Sequence, residues 1–275
     1  MKSIICYVDG QYLPLDSAGL PVADLLVQRG YGIFDFLRVA KDKPLFLEDH
    51  LARFYNSAQI MRLSIKETKE DLIQIVNQLV TVNQLDYSGI RFIVSGGDAA
   101  DGYTITAPRL VVLQQPLAMP PDTLPLEGIK LVTKAFQRQL ARVKTTDYLM
   151  AIYLQPWMKQ EGADDILYYS ENVVRECPRS NFFIVKDKKI ITTDNHMLLG
   201  ITRKNILRVA AHNGLTVECR DLSLEELSTA DEAFISSSTK RITAVKQIDD
   251  CVLPPITKAS LTYQLFELLK ALEIE

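Results

Sequence analysis

Lys144 opens the run Lys144-Thr145-Thr146-Asp147-Tyr148, and 32 residues further on Glu176 heads Glu176-Cys177-Pro178-Arg179-Ser180-Asn181, the entry to an apolar strand. A lysine amine can hold an aldehyde cofactor as an imine and carry protons once displaced. A carboxylate can keep a pyridine nitrogen protonated, so that the ring accepts electrons. Together the two point to Schiff-base chemistry, although each has a plain reading alone: Lys144 as a solvated surface lysine, Glu176 as a strand charge. Tyr148 adds weight to Lys144, because a spacing of four is one helical turn and would bring a phenol beside the imine.

Two further groups could meet a phosphate. Gly200-Ile201-Thr202-Arg203 sets a glycine before a helix start, where free backbone N–H groups and the positive end of the dipole favour an anion. A plain capped helix would carry the same residues. Ser236-Ser237-Ser238-Thr239 ends an apolar strand and could donate to the same phosphate or form a polar turn. Gly30-x-Gly32 lacks the third glycine of a dinucleotide fingerprint, and there is no complete Walker loop. His50, His196 and His212 show no triad or metal spacing; His50 reads as packed beside its helix and the others as surface. Cys6, Cys177, Cys219 and Cys251 are scattered, which reads as reduced thiols with no zinc site, and no metal is expected.

The elements that must position these groups fall into two sets. Residues 1–115 read as an α+β domain: a hairpin around Asp9-Gly10, a strand near Phe34 to Val39, helices marked by Leu47, Leu51, Phe54, Ala58, Met61 and by Leu72, Ile75, Val76, Leu79, Val82, then strands at Ile90 to Val94 and Leu110 to Leu113. Thr68-x-x-Asp71 is a capping-box-like start for the second helix. Residues 116–128 hold four of the 12 prolines and read as an interdomain linker. Residues 129–275 read as a strand-rich domain with apolar runs at Ile129, Ile166, Phe182, Leu215 and Ala233, a helix from Thr202 to Asn213 stopped by Gly214, a Ser223-x-x-Glu226 capping box and a C-terminal helix on Leu261, Leu265, Leu268 and Leu272.

Composition excludes several classes. Hydrophobic residues at 47% and charged residues at 24% build real cores and leave no case for disorder. A net charge of -3 without a basic block argues against nucleic acid or a polybasic membrane surface. Met1 to Tyr7 lacks the apolar core of a secretory signal, and no later run approaches a membrane span, so a cytoplasmic protein acting on small molecules is expected.

The order and spacing of six segments, Arg29 to Asp35, Phe46 to Arg53, Lys144 to Tyr148, Glu176 to Asn181, Gly200 to Arg203 and Ala230 to Val245, resemble the class IV (fold type IV) pyridoxal-phosphate aminotransferases, over nearly the whole chain. That family includes branched-chain aminotransferases, D-amino-acid aminotransferases and aminodeoxychorismate lyases. The resemblance implies an α/β (α+β) two-domain fold, small N-terminal and larger strand-rich C-terminal, with pyridoxal 5'-phosphate at the domain interface and a homodimer. It assigns Lys144 the imine and the proton shuttle, Glu176 the pyridine nitrogen, Tyr148 the ring hydroxyl, and Arg53, Ile201, Thr202, Ser237 and Ser238 the phosphate.

Substrate choice is read from departures. The tyrosine that branched-chain enzymes carry two residues before Arg91 is Gly89 here, the lyase-branch arginine falls on Gly96, and the usual D-branch arginine is missing from Val94 to Tyr103. Arg29 and Arg179 instead look like a less common D-amino-acid subgroup that forks an arginine pair onto the α-carboxylate. A structural pair with Asp24 or Asp35 is the other reading of Arg29; beside the ring, an unpaired Arg179 would be costly. Arg29, Tyr31, Arg91 and Arg179 are thus the substrate-binding candidates, for amino acids and 2-oxo acids. The expectation is a transaminase moving the amino group between D-amino acids such as D-alanine or D-glutamate and 2-oxo acids. A branched-chain L-aminotransferase, an aminodeoxychorismate lyase and a cofactor-free binding protein on the same fold are the alternatives.

Overall fold

The computed structural model describes residues 3–274. The chain divides into two compact units: the first runs to Met119 and takes in Val143–Asp147, and the second comprises Pro120–Arg142 and the chain from Tyr148 onward.

Among the described residues of the first unit, β1 (Ile5–Val8), β2 (Gln11–Pro14), β3 (Gly32–Ala40), β4 (Lys43–Pro44), β5 (Tyr87–Ser95) and β6 (Leu110–Pro116) form one antiparallel sheet in the order β2-β1-β6-β5-β3-β4. A short α1 (Leu25–Arg29) precedes β3, and α2 (Leu47–Ile60) and α3 (Lys69–Asn83) lie between β4 and β5. Period two along β3 sends Ile33, Leu37 and Val39 into the core that Leu51, Phe54, Leu72 and Val76 of the helices complete. The same alternation turns Phe34, Phe36 and Arg38 to the other face. The capping box at Thr68 forms, with Asp71 N donating to Thr68 Oγ1 at 3.2 Å and Thr68 N to Asp71 Oδ2 at 2.8 Å. Gly30 closes α1 in the left-handed region at φ +68°, and Gly32 is needed because a Cβ there would lie 2.6 Å from Leu26 Cδ1. The two glycines therefore serve a helix end and a close contact.

In the second unit β7 (Ile129–Ala135) leads to α4 (Leu149–Tyr153), α5 (Gln155–Gln160) and then β8 (Asp165–Ser170), β9 (Val173–Val174), β10 (Glu176–Cys177), β11 (Ser180–Lys186) and β12 (Lys189–Thr192). There follow α6 (Ile201–His212), β13 (Val217–Cys219), α7 (Leu224–Leu227), β14 (Glu232–Ser237), β15 (Arg241–Ile248), β16 (Cys251–Val252) and α8 (Leu261–Ile274). Their sheet runs β13-β12-β11-β14-β15-β7-β8-β9, with β10 on β11 and β16 on β15. Alternate residues of β11 and β14 feed two cores. Phe182, Ile184 and Ile235 enter one, while Phe183 and Phe234, stacked at 4.6 Å, meet α6 and α8 in the other. Among the described residues no helix is long and apolar enough to cross a membrane.

Two boundaries differ from the sequence reading. The proline-rich stretch 116–128 is only partly a connector: Leu124 is buried with Phe183 and Ile206 in the second unit, and Arg241 and Lys270 donate to the carbonyls of Pro121 and Asp122. Prolines give up donors but keep carbonyls, so such a stretch can be held from one side. Residues 143–147, which the sequence places in the second domain, join the first unit instead. Phe34 N donates to Lys144 O at 2.9 Å, Thr146 N to Gly32 O at 3.0 Å, Ile33 bridges Thr145, and Val143 is buried in the first core.

Candidate active site

Lys144 lies on this extended segment, and Tyr148 is the N-cap of α4, so the two do not share a helical turn as the spacing suggested. In the first unit Lys144 N donates to Ser57 Oγ at 3.4 Å, and its Nζ stands 4.5 Å from the centre of the Phe34 ring. The guanidinium of Arg91 lies 5.0 Å from the Phe34 ring and 5.3 Å from Phe36. Both cations thus lie within reach of the Phe34 ring, a favourable contact for each.

Arg53 is anchored from below. Its Nε and Nη2 donate to the two oxygens of Asp35, each at 2.8 Å, and His50 Nδ1 donates to Asp35 Oδ1 at 2.7 Å. Burial alone would raise the Asp35 carboxyl, but the charges and hydrogen bonds of Arg53 and His50 outweigh it and hold it well below the usual range. Burial lowers the His50 imidazole and outweighs the pull of Asp35.

The substrate candidates of this unit are placed differently from one another. Tyr31 donates its hydroxyl to Met61 O at 2.7 Å. Arg29 is exposed, its Nη1 donating to Gln28 O at 3.1 Å, and it pairs with neither Asp24 nor Asp35; Asp24 accepts from Ser95 Oγ and Leu26 N instead. The positions where signatures are missing are filled. A Cβ at Gly89 would lie 2.1 Å from Phe36 Cζ, and one at Gly96 would press on Leu25 and Tyr31 at 2.9 to 3.1 Å. Gly89→Ala is therefore expected to lower the unfolding free energy by about 1–3 kcal/mol through overpacking, and Phe36→Leu in the same chain should relieve most of that loss. Urea denaturation of the single and double variants is the check.

In the second unit Glu176 is buried and held at both oxygens: Arg138 Nε donates to Oε1 at 2.8 Å and Leu198 N to Oε2 at 3.1 Å. Arg138 Nη2 also donates to Ala141 O at 2.7 Å, which fixes the guanidinium. The register Glu176–Asn181–Ser236 sets three polar side chains in a row across β10, β11 and β14. Asn181 Nδ2 donates to Leu198 O at 2.8 Å and so ties the start of α6 to the same row. Gly200 caps α6 without a side-chain bond, and a Cβ there would meet Asn181 Oδ1 at 2.1 Å. The helix therefore presents bare backbone, with Ile201 and Thr202 in its first turn. Ser237 ends β14 and accepts from Lys240 N at 3.3 Å, Ser238 opens the turn, and Ser236 Oγ is buried without a partner among the described residues.

Arg179 is exposed, and its charge reaches buried Asp165, whose carboxyl burial raises. Burial, with Asp165 and Glu176 nearby, pushes the Cys177 thiol well up, which makes it inert. Asp35 and Arg138 were missed in the sequence. Period two could have found Asp35, a charge at a buried position of β3; nothing local marks Arg138.

These donors fit a phosphorylated pyridine aldehyde. A carboxylate has about four lone-pair sites, so Glu176 can accept from a ring nitrogen while Arg138 and Leu198 hold it. The uncapped start of α6 beside the hydroxyls of β14 suits a dianion. The fold and these residues thus suit an enzyme that uses such a cofactor. Residues 32–248 match the family model Amino-transferase class IV, and the chain belongs to that family. It is 30% identical to a D-alanine aminotransferase of Listeria innocua serovar 6a, over 94% of this chain and 92% of that protein. Its fold is that of the T.th. branched-chain amino acid aminotransferase crystallised with pyridoxamine 5'-phosphate, at TM-score 0.90 and 23% identity over 99% of this chain and 95% of that one. The branched-chain enzyme of Escherichia coli superposes at TM-score 0.88 and 20% identity, with the same coverage.

Proposed function

We propose that this aminotransferase uses pyridoxal 5'-phosphate to move the amino group between D-amino acids, such as D-alanine and D-glutamate, and 2-oxo acids. When bound, the cofactor supplies an aldehyde carbon and a protonated ring that draws electrons from the substrate Cα. Lys144 would hold that carbon until the substrate amine displaces it, and its freed amine would then carry the proton taken from the substrate Cα. Glu176 holds the proton on the pyridine nitrogen, and Tyr148 bonds the ring hydroxyl. Arg53, the backbone of Ile201 with Thr202, and Ser237 with Ser238 take the phosphate. Exposed Leu149, Ile152 and Tyr153, at helical spacing on α4, support a homodimer.

The observation that carries the D-specific reading is the filling of Gly89 and Gly96 by Phe36, Leu25 and Tyr31. A branched-chain tyrosine or a lyase arginine at these positions would have to displace Phe36, Leu25 or Tyr31, so another cation is sought for the substrate carboxylate. Arg29, free of its two candidate structural partners, and exposed Arg179 are offered for it, and the D-alanine aminotransferase relative supports the choice. Two guanidinium forks can each bind a carboxylate bidentately.

The test is a half-reaction titration. The absorbance of the lysine-bound cofactor is followed while D-glutamate, D-alanine, L-glutamate or L-leucine is added without acceptor. Bleaching by the D-amino acids alone is expected. Bleaching by L-leucine and L-glutamate alone would make the chain a branched-chain enzyme, and no bleaching with any of the four would favour the lyase.

A further inference from the structure

Asp35 stands where β3 otherwise buries hydrocarbon: Ile33, Leu37 and Val39 share its face and are fully buried, and so is Asp35. A carboxylate at such a position is costly unless it is paired and hydrogen-bonded, and an apolar residue of similar volume often serves stability as well. Four donors nevertheless converge on it: Phe36 N at 2.7 Å, His50 Nδ1, and Arg53 Nε and Nη2. His50 and Arg53 are three residues apart on α2, so one helix face delivers both. Of the three side chains Arg53 keeps the most exposure, 10% against 2% for His50 and none for Asp35. Among the described residues the carboxylate is therefore enclosed, and Arg53 is the most exposed member of the network.

We infer that Asp35, supported by His50, is a positioning residue that holds Arg53 in the conformation that receives the cofactor phosphate. A free arginine side chain loses rotamer entropy on binding an anion, and a guanidinium already forked onto a buried carboxylate has lost it on folding. The inference rests on the reading of Arg53 as a phosphate ligand.

The experiment measures affinity rather than turnover. Apoprotein is titrated with pyridoxal 5'-phosphate and with pyridoxal, which lacks the phosphate, and the ratio of the two dissociation constants is compared across variants. Arg53→Met should collapse the ratio; if it does not, the phosphate reading of Arg53 fails, and this inference with it. Asp35→Asn keeps the shape and removes the charge. It is expected to weaken the phosphorylated ligand by about 10- to 100-fold while leaving pyridoxal nearly unchanged, and to add little in the Arg53→Met background. A ratio preserved in Asp35→Asn while Arg53→Met loses it would overturn the inference, as would equal losses for both ligands. Should Asp35→Asn fail to fold, His50→Gln removes one donor and keeps the ion pair. A severalfold loss of the ratio is expected there, and an unchanged ratio would overturn the inference.

Discussion

Lys144→Ala is expected to leave a folded protein with transamination reduced by at least about 10³-fold. The lysine is asked to supply proton transfer at two carbon atoms, and a positioned acid-base group contributes about 10²–10⁴-fold on its own. Alanine also removes the amine that binds the aldehyde. Folding should hardly notice. The backbone bonds of the segment, from Phe34 N to Lys144 O and from Thr146 N to Gly32 O, do not depend on the side chain. The lost contact between Nζ and the Phe34 ring is worth about 0.5–1 kcal/mol. Single-turnover absorbance and a thermal melt measured on one preparation separate the two effects. Near-normal steady-state turnover in the variant would remove Lys144 from the chemistry.

Glu176→Gln should cost both activity and stability. Glutamine is too weak a base to hold a proton on the pyridine nitrogen, and losing one preorganised electrostatic group typically costs about 10²–10³ in kcat. Arg138, which donates to Glu176 Oε1 from a site only 16% exposed, would also lose its anion. Breaking a largely buried pair at one end costs about 3 kcal/mol. Arg138→Gln combined with Glu176→Gln should regain part of the stability and none of the activity. Urea denaturation and pre-steady-state kinetics on the single and double variants read the two effects apart, and full activity in Glu176→Gln would rule out the ring-nitrogen role.

Elements with a strong local signal were legible before any coordinates. The helices at Leu47–Ile60 and Lys69–Asn83 follow their apolar spacing, and the capping boxes at Thr68 and Ser223 both form. Others carried no such signal. β15 mixes inward and outward residues around a bulge between Val245 and Gln247, and α1 is five residues long, so neither shows a clean period. Lys144 and Tyr148 were misread locally because a spacing of four is helical only if the backbone is, and here β3 captures residues 144–146 as an extended neighbour.

The sequence by itself determined which chemical groups are available. Lysine, glutamate, a glycine-started helix and a hydroxyl run are properties of residue type and short spacing, and their order along the chain carried the family. Tertiary structure decided how those groups are supported. Asp35 meets Arg53 across 18 positions and Arg138 meets Glu176 across 38. Phe36 fills the space over Gly89 from the neighbouring strand β3, far away along the chain. Such partners are set by sheet register and helix docking, which sum many weak contacts over the whole unit, so no local pattern announces them.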